Sequence, residues 1–170
     1  GRAVVGIPGF IKAGTQQGAV GARTTQWIGQ FSTSAGTEKS VAVINGTIVE
    51  YDFSGDSFAT LVSAANLVTA SVTFSATVRV HCVMFADVLI VSDGVNRPFS
   101  WDGTAGAGGV TAGTNIPVLY GQPVVYYSKL FGILNADRSA IAWSEENTFD
   151  TGWEAGGYTN AWTLAGTKGE

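Results

Sequence analysis

The chain has 170 residues, 45% hydrophobic and only 13% charged, against roughly 25% charged in ordinary soluble domains, a composition that argues against disorder. Nine basic against thirteen acidic residues give a net charge of −4, and the basic ones are scattered singly from Arg2 to Lys168, so no phosphate-tracking patch and no sequence-specific nucleic-acid reader is expected. One cysteine, Cys82, excludes an internal disulfide, and one histidine, His81, excludes most zinc sites and most histidine-dependent catalysis.

Residues 1–23 match no pattern and are read as an amino-terminal extension or connecting segment. The chain opens on Gly1 rather than methionine, which fits a processed end or a piece of a longer chain. From Thr24 onward, short β-rich runs alternate with Gly, Asn, Asp and Ser, the signature of antiparallel strands joined by tight turns. The pattern predicts strands at Thr25 to Phe31, Val41 to Ile44, Thr47 to Phe53, Thr73 to Met84, Val88 to Val91, Phe99 to Trp101, Val124 to Leu134 and Ala140 to Trp143, and a further one at Trp162 to Leu164. Between Ser57 and Ala70, Phe58, Leu61, Ala65 and Leu67 roughly share a helical face. The β-branched Thr60, Val62, Val68 and Thr69 favour strand and loop there instead. The longest apolar stretches, such as Val83 to Val91, are broken by Asp87 and fall short of the ~18 to 20 residues a membrane-spanning helix needs.

Three segments share one layout: an apolar strand, a polar turn (Asn45-Gly46, Asp93-Gly94, Asn135-Ala136), and a second strand ending in an aromatic residue (Tyr51, Trp101, Trp143). Asn-Gly and Asp-Gly are hairpin signals because both central positions of a type I′ turn need positive φ. The turns recur at 48 and 42 residues, and a four-stranded propeller blade takes about 40 to 50. Each hairpin has room for an inner strand before it and an outer strand after it. The expected fold is therefore all-β, with β-propeller-like antiparallel blades over residues 24–170 and about three blade-like repeats. Closed propellers usually have about four to eight blades, so the propeller is incomplete within this chain. The alternative is a β-sandwich.

The succession Lys39-Ser40-Val41-Ala42-Val43-Ile44-Asn45-Gly46 through Glu50-Tyr51-Asp52, then Val88-Leu89-Ile90-Val91-Ser92-Asp93-Gly94 through Phe99-Ser100-Trp101-Asp102-Gly103, then Ala136-Asp137-Arg138 through Ala142-Trp143-Ser144 resembles tailed-bacteriophage virion proteins. Among these are the propeller-bearing tail nozzle, or tail tubular B, proteins. The resemblance covers roughly Phe31 to Trp162, with Trp153 as the later tryptophan of the pattern. The third unit departs from it, with Asn135-Ala136 where glycine is the rule. The resemblance implies a structural component of a phage tail in the virion, forming part of a ring or nozzle around the DNA exit channel and serving DNA ejection. Its partners would be copies of itself in a symmetric ring and other tail proteins. An acidic, sparsely charged chain suits a conduit that must not hold DNA, since a basic lumen would bind it.

The residue types that carry chemistry have plainer readings. Gly55-Asp56-Ser57 copies the nucleophile block of one hydrolase class, but His81 lies 24 residues on in an apparent strand, not in the place of the required base. Adjacent residues of one strand point to opposite faces, so His81 and Cys82 cannot converge on one metal. The run Gly103 to Gly109 lacks the Lys-Ser or Lys-Thr pair of a phosphate loop and reads as a mobile turn. The spacing of Asp137, Glu145, Glu146, Asp150 and Glu154 matches no calcium loop. Five tryptophans (Trp27, Trp101, Trp143, Trp153, Trp162) are read as inter-blade packing. Exposed rings among the last three would instead favour a secreted or surface glycan-binding propeller module. No catalytic residue, cofactor or metal site is expected, and the chain is not expected to be an enzyme.

Overall fold

A computed structural model of the chain describes residues 24–153 and 161–163. Among these residues, twelve strands fall into three four-stranded antiparallel sheets, each taking four strands in chain order. The first sheet holds β1 (Thr25–Ser32), β2 (Glu38–Ile44), β3 (Thr47–Asp52) and β4 (Ser57–Val62). After a short helix, α1 (Ala64–Thr69), come β5 (His81–Phe85), β6 (Val88–Ser92), β7 (Phe99–Trp101) and β8 (Val110–Ala112). The third sheet holds β9 (Leu119–Tyr126), β10 (Lys129–Leu134), β11 (Ala140–Trp143) and β12 (Ala161–Thr163). The fold is all-β and propeller-like, with no closed barrel among the described residues. The three hairpins legible in the sequence, β2–β3, β6–β7 and β10–β11, are the middle pairs of three separate sheets rather than parts of one sheet.

The sheets stack face to face. Strand β6 is covered on both sides, which is why Leu89, Ile90, Val91 and Ser92 are all buried; alternation then sends successive side chains into different cores. Leu89 and Val91, with Phe99 and Trp101 opposite them, join Phe31, Val41, Val43, Ile48 and Val62 of the first sheet. Ile90 and Phe85 point the other way and meet Leu119, Leu130, Leu134, Ala140 and Ala142 of the third. The opening strands run close together, β1 against β5 and β5 against β9. Two glutamines tie them. Gln26 of β1 donates to the carbonyls of Ser75 (2.8 Å) and Val78 (2.7 Å) ahead of β5, and Gln122 of β9 donates to Cys82 O at 2.8 Å.

Several expected boundaries move, each for a local reason. The run Val124 to Leu134 is two strands, because Tyr127 (φ 47°) and Ser128 (φ 55°) form a two-residue turn between Tyr126 and Lys129. Ala86 (φ 47°) and Asp87 (φ 63°) do the same between Phe85 and Val88. Asn45 (φ 49°) and Gly46 (φ 71°) make the expected type I′ turn. Asp93-Gly94 and Asn135-Ala136 instead begin wider loops, since Val91 pairs with Phe99 and Ile133 with Ile141. At the first of these, the Asp93 carboxylate gathers the N–H groups of Val95 (2.9 Å) and Asn96 (2.7 Å). Of the expected strand Thr73 to Met84 only His81 onward is strand, in β5 (His81–Phe85); ahead of it Ser75 N–H goes to Asp93 and the Ser75 and Val78 carbonyls to Gln26, not to a ladder. Ser57 to Ala70 is a strand followed by a helix, begun where Ser63 and Asn66 exchange capping hydrogen bonds.

Candidate functional site: the outward faces of the stack

Among the described sheets, the first and the third each have a face turned away from the second. The trailing face, on the first sheet away from the second, carries Ile28, Ala42, Ile44, Val49, Tyr51 and Phe58, placed there by strand alternation and by the pairings Ile28–Ala42 and Tyr51–Phe58. Ala42, Ile44 and Val49 form a buried cluster with Phe58 beside it, whereas Ile28 is 74% exposed. The charged groups of this face are acidic: Glu38 shares the row of Ala42 on β2, and Asp56 accepts a hydrogen bond from Tyr51.

The leading face, on the third sheet away from the second, is aromatic and open. Tyr120, Val124 and Tyr126 of β9 stand at alternate positions around a Gly121 bulge (φ 75°), beside Phe131 and Ile133 of β10 and Trp143 of β11. Val124 is 56% exposed, Tyr126 62% and Ile133 39%. Phe131 stacks on Trp143 (5.9 Å between centroids, 29°), and Tyr126 meets Tyr127 edge-on at 4.4 Å. Lys129 shares the row of Phe131, and the Arg138 guanidinium, next to Asp137 in the β10–β11 loop, lies 4.1 Å over the Tyr120 ring.

Between the stacked sheets, polar staples replace chemistry. Ser34, in the β1–β2 loop, donates its N–H (2.7 Å) and hydroxyl to Asp87 in the β5–β6 turn. Asp150 accepts the N–H groups of Thr114 (2.9 Å), Asn115 (2.7 Å) and Ile116 (2.8 Å) and the Thr114 hydroxyl. Burial works against its charge, but the hydrogen bonds outweigh that and hold its pKa below the ordinary carboxylate value. A cleft of about 600 Å³ opens between the second and third sheets, lined among others by Arg79, His81, Asn135 and Arg138.

The residues singled out in the sequence are dispersed. Ser57 opens β4 at one edge of the first sheet, and His81 opens β5 in the second. Cys82 points into the core shared by the first two sheets, where burial pushes its thiol pKa far up, while His81 lines the cleft on the other side. Residues 103–109 are a docked segment rather than a loose turn: Gly106 N–H donates to Leu61 O (2.8 Å), and a 3₁₀ turn forms at Ala107–Gly109. Gly103 (φ 92°) packs so closely that a Cβ there would stand 2.7 Å from the Phe31 ring. Asp137 serves its own loop by accepting from Ser139 (N–H, 3.0 Å), and among the described residues no three His, Cys, Asp or Glu side chains gather as a metal site would. Glu154 lies outside the described residues, as does the Trp162 side chain.

Of the other tryptophans, Trp101 and Trp153 are buried, their indole N–H groups donating to Thr104 O (2.8 Å) and Phe149 O (2.9 Å). Trp27 is half-buried against the first core, and half-buried Trp143 belongs to the leading face. No helix among the described residues is long and apolar enough to cross a membrane. Comparison with protein families, with characterised proteins and with solved structures finds no match.

Proposed function

We propose that the chain is a structural component of a bacteriophage tail, forming part of a ring or nozzle around the channel through which DNA leaves the virion. The observation that carries this reading is the serial stacking of three four-stranded sheets in chain order, opening strands side by side, ending on an open apolar face. Such a stack is built by repeating one packing step and is suited to further modules around an axis. The chain works by contact with copies of itself and with other tail proteins rather than by catalysis: Ser57 and His81 stand in different sheets, and the Cys82 thiol is buried with its ionisation suppressed. The net charge of −4 disfavours retention of DNA in transit.

Purified tails of a phage encoding this sequence are expected to contain the chain, and virions whose tails lack it would refute the reading. At low salt the purified protein is expected not to retain duplex DNA; strong sequence-independent retention would contradict a conduit role. One observation favours a second reading, a glycan-binding module: Phe131, Trp143 and Tyr126 present rings on an open face. Retention on a glycan array that is lost in Trp143→Ala would establish it.

A further inference from the structure

We infer that the cleft between the second and third sheets is a binding site for a small phosphate monoester, whose phosphate group is held between Arg79 and Arg138. The inference stands apart from the tail reading, which assigns no ligand to this cleft.

Chain topology brings the cleft's donors together from distant segments. Arg79 and His81 come from the start of β5 and the residues just ahead of it, Asn135 and Arg138 from the β10–β11 loop, and Tyr120 from the start of β9. Two guanidinium forks, an imidazole and a side-chain amide thus line one opening. The Arg138 guanidinium is already placed, 4.1 Å over the Tyr120 ring, a contact that positions the cation without neutralising it.

The acidic groups nearby have other partners. Asp93 lines the cleft but is buried, and its oxygens accept from the N–H groups of Ser75 (2.9 Å), Val95 (2.9 Å) and Asn96 (2.7 Å) and from the Asn96 side-chain amide (2.7 Å). Asp137, next to Arg138, accepts the Ser139 N–H (3.0 Å) and hydroxyl (2.6 Å). Among the described residues neither guanidinium has a carboxylate within ion-pair distance, whereas Lys39 is held by Glu50 at 2.9 Å. Two cations that line one cleft repel each other, and an anion between them turns that repulsion into attraction.

An independent observation lies on the second-sheet wall. Ser92 pairs with His81 across the β5–β6 ladder, so the two side chains share a face. The Ser92 hydroxyl is buried and has no hydrogen-bond partner. Buried polar groups are as a rule partnered, so an orphan beside His81 marks this wall as a place for a polar occupant.

Donor geometry and size choose the ligand. A tetrahedral phosphate presents enough oxygens to meet two guanidinium forks at once, whereas a carboxylate is filled by a single bidentate arginine. The cleft's volume of about 600 Å³ falls within the roughly 300–1,000 Å³ of small-molecule sites and leaves room beside the phosphate for a remainder the size of a sugar.

The experiment is calorimetric titration of the full chain with glucose 6-phosphate, inorganic phosphate and a short DNA duplex at constant ionic strength. It is run on the wild type and on Arg79→Gln, Arg138→Gln and Lys129→Gln, each checked for unchanged far-ultraviolet circular dichroism. Every variant removes one positive charge, but Lys129 is not among the residues lining the cleft. The wild type is expected to bind glucose 6-phosphate at one saturable site, more tightly than inorganic phosphate. Each arginine variant is expected to bind it at least about tenfold more weakly, and Lys129→Gln to bind it as the wild type does. Absence of saturable binding, or equal weakening by Lys129→Gln, would overturn the site and leave the tail reading standing. Inorganic phosphate binding as tightly as the ester would overturn the monoester. Duplex binding abolished by both arginine variants would assign the cleft to a nucleic-acid backbone and overturn this inference and the conduit reading together.

Discussion

Phe31 and Trp101 form the tightest ring pair between the first and second sheets. Neither side chain is exposed, their centroids lie 4.9 Å apart at 50°, and the Trp101 indole donates to Thr104 O at 2.8 Å. Trp101→Ala removes a fully buried indole, which costs about 3–5 kcal/mol, a large share of the roughly 5–15 kcal/mol that holds a domain folded. A cycle of Phe31→Leu, Trp101→Leu and the double variant isolates the contact across the sheets. Aromatic pairs in such geometry contribute ~0.5–1.5 kcal/mol beyond their area, whereas independent sites add to within about 0.3–0.5 kcal/mol. Urea unfolding of the four proteins, followed by circular dichroism, is expected to give a coupling near 1 kcal/mol. A Trp101→Ala cost below about 1 kcal/mol, or additive single variants, would refute face-to-face packing of these two sheets.

Gln26→Leu is expected to cost roughly 1–3 kcal/mol in urea unfolding, because its amide serves Ser75 O and Val78 O while its carbonyl accepts Gly46 N–H at 2.6 Å; an unchanged midpoint would show that the opening strands are not tied there. Asp150 has a pKa lowered from 3.8, so its stabilising effect is present above that value and is lost as pH falls through the lower folded-state pKa. Stability measured from neutral pH into the acid range should therefore fall less steeply below about pH 4 in Asp150→Asn than in the wild type, and parallel curves would contradict the staple. Gly103→Ala combines a left-handed backbone position with a clash against Phe31 and is expected to destabilise by more than the ~1 kcal/mol typical of backbone strain alone. Native Cys82 should react with a thiol reagent only at the rate of unfolding; fast labelling in the folded state would place it outside the core.

What the sequence showed and what it hid follow from the range of the forces involved. The middle hairpins were legible because apolar runs give way to polar turns and the returning strands end in Tyr51, Trp101 and Trp143, and Asn45-Gly46 announces its own turn. The turn at Ala86-Asp87 falls in the gap between two expected strands, whereas the one at Tyr127-Ser128 was hidden because the pair contains no glycine; packing of the flanking strands imposes positive φ there on a residue such as Tyr127 that does not prefer it. The mobile turn expected at 103–109 is instead held by Leu61 and Phe31, more than 40 residues away in sequence, a dependence no local pattern carries. The same holds for the Gln26, Asp87 and Asp150 staples, whose partners lie far along the chain. The leading face was half visible: Trp143 was noted as a candidate exposed ring, but Tyr120, Val124 and Tyr126 join it only once the β9–β10 turn is known.

The most direct measurement is electron microscopy of the purified chain at concentrations where it sediments as an assembly. The account predicts closed rings with a central opening, built from stacked three-sheet units of one orientation around the axis. Particles showing single three-sheet units, or pairs joined by like faces with no opening, would contradict it.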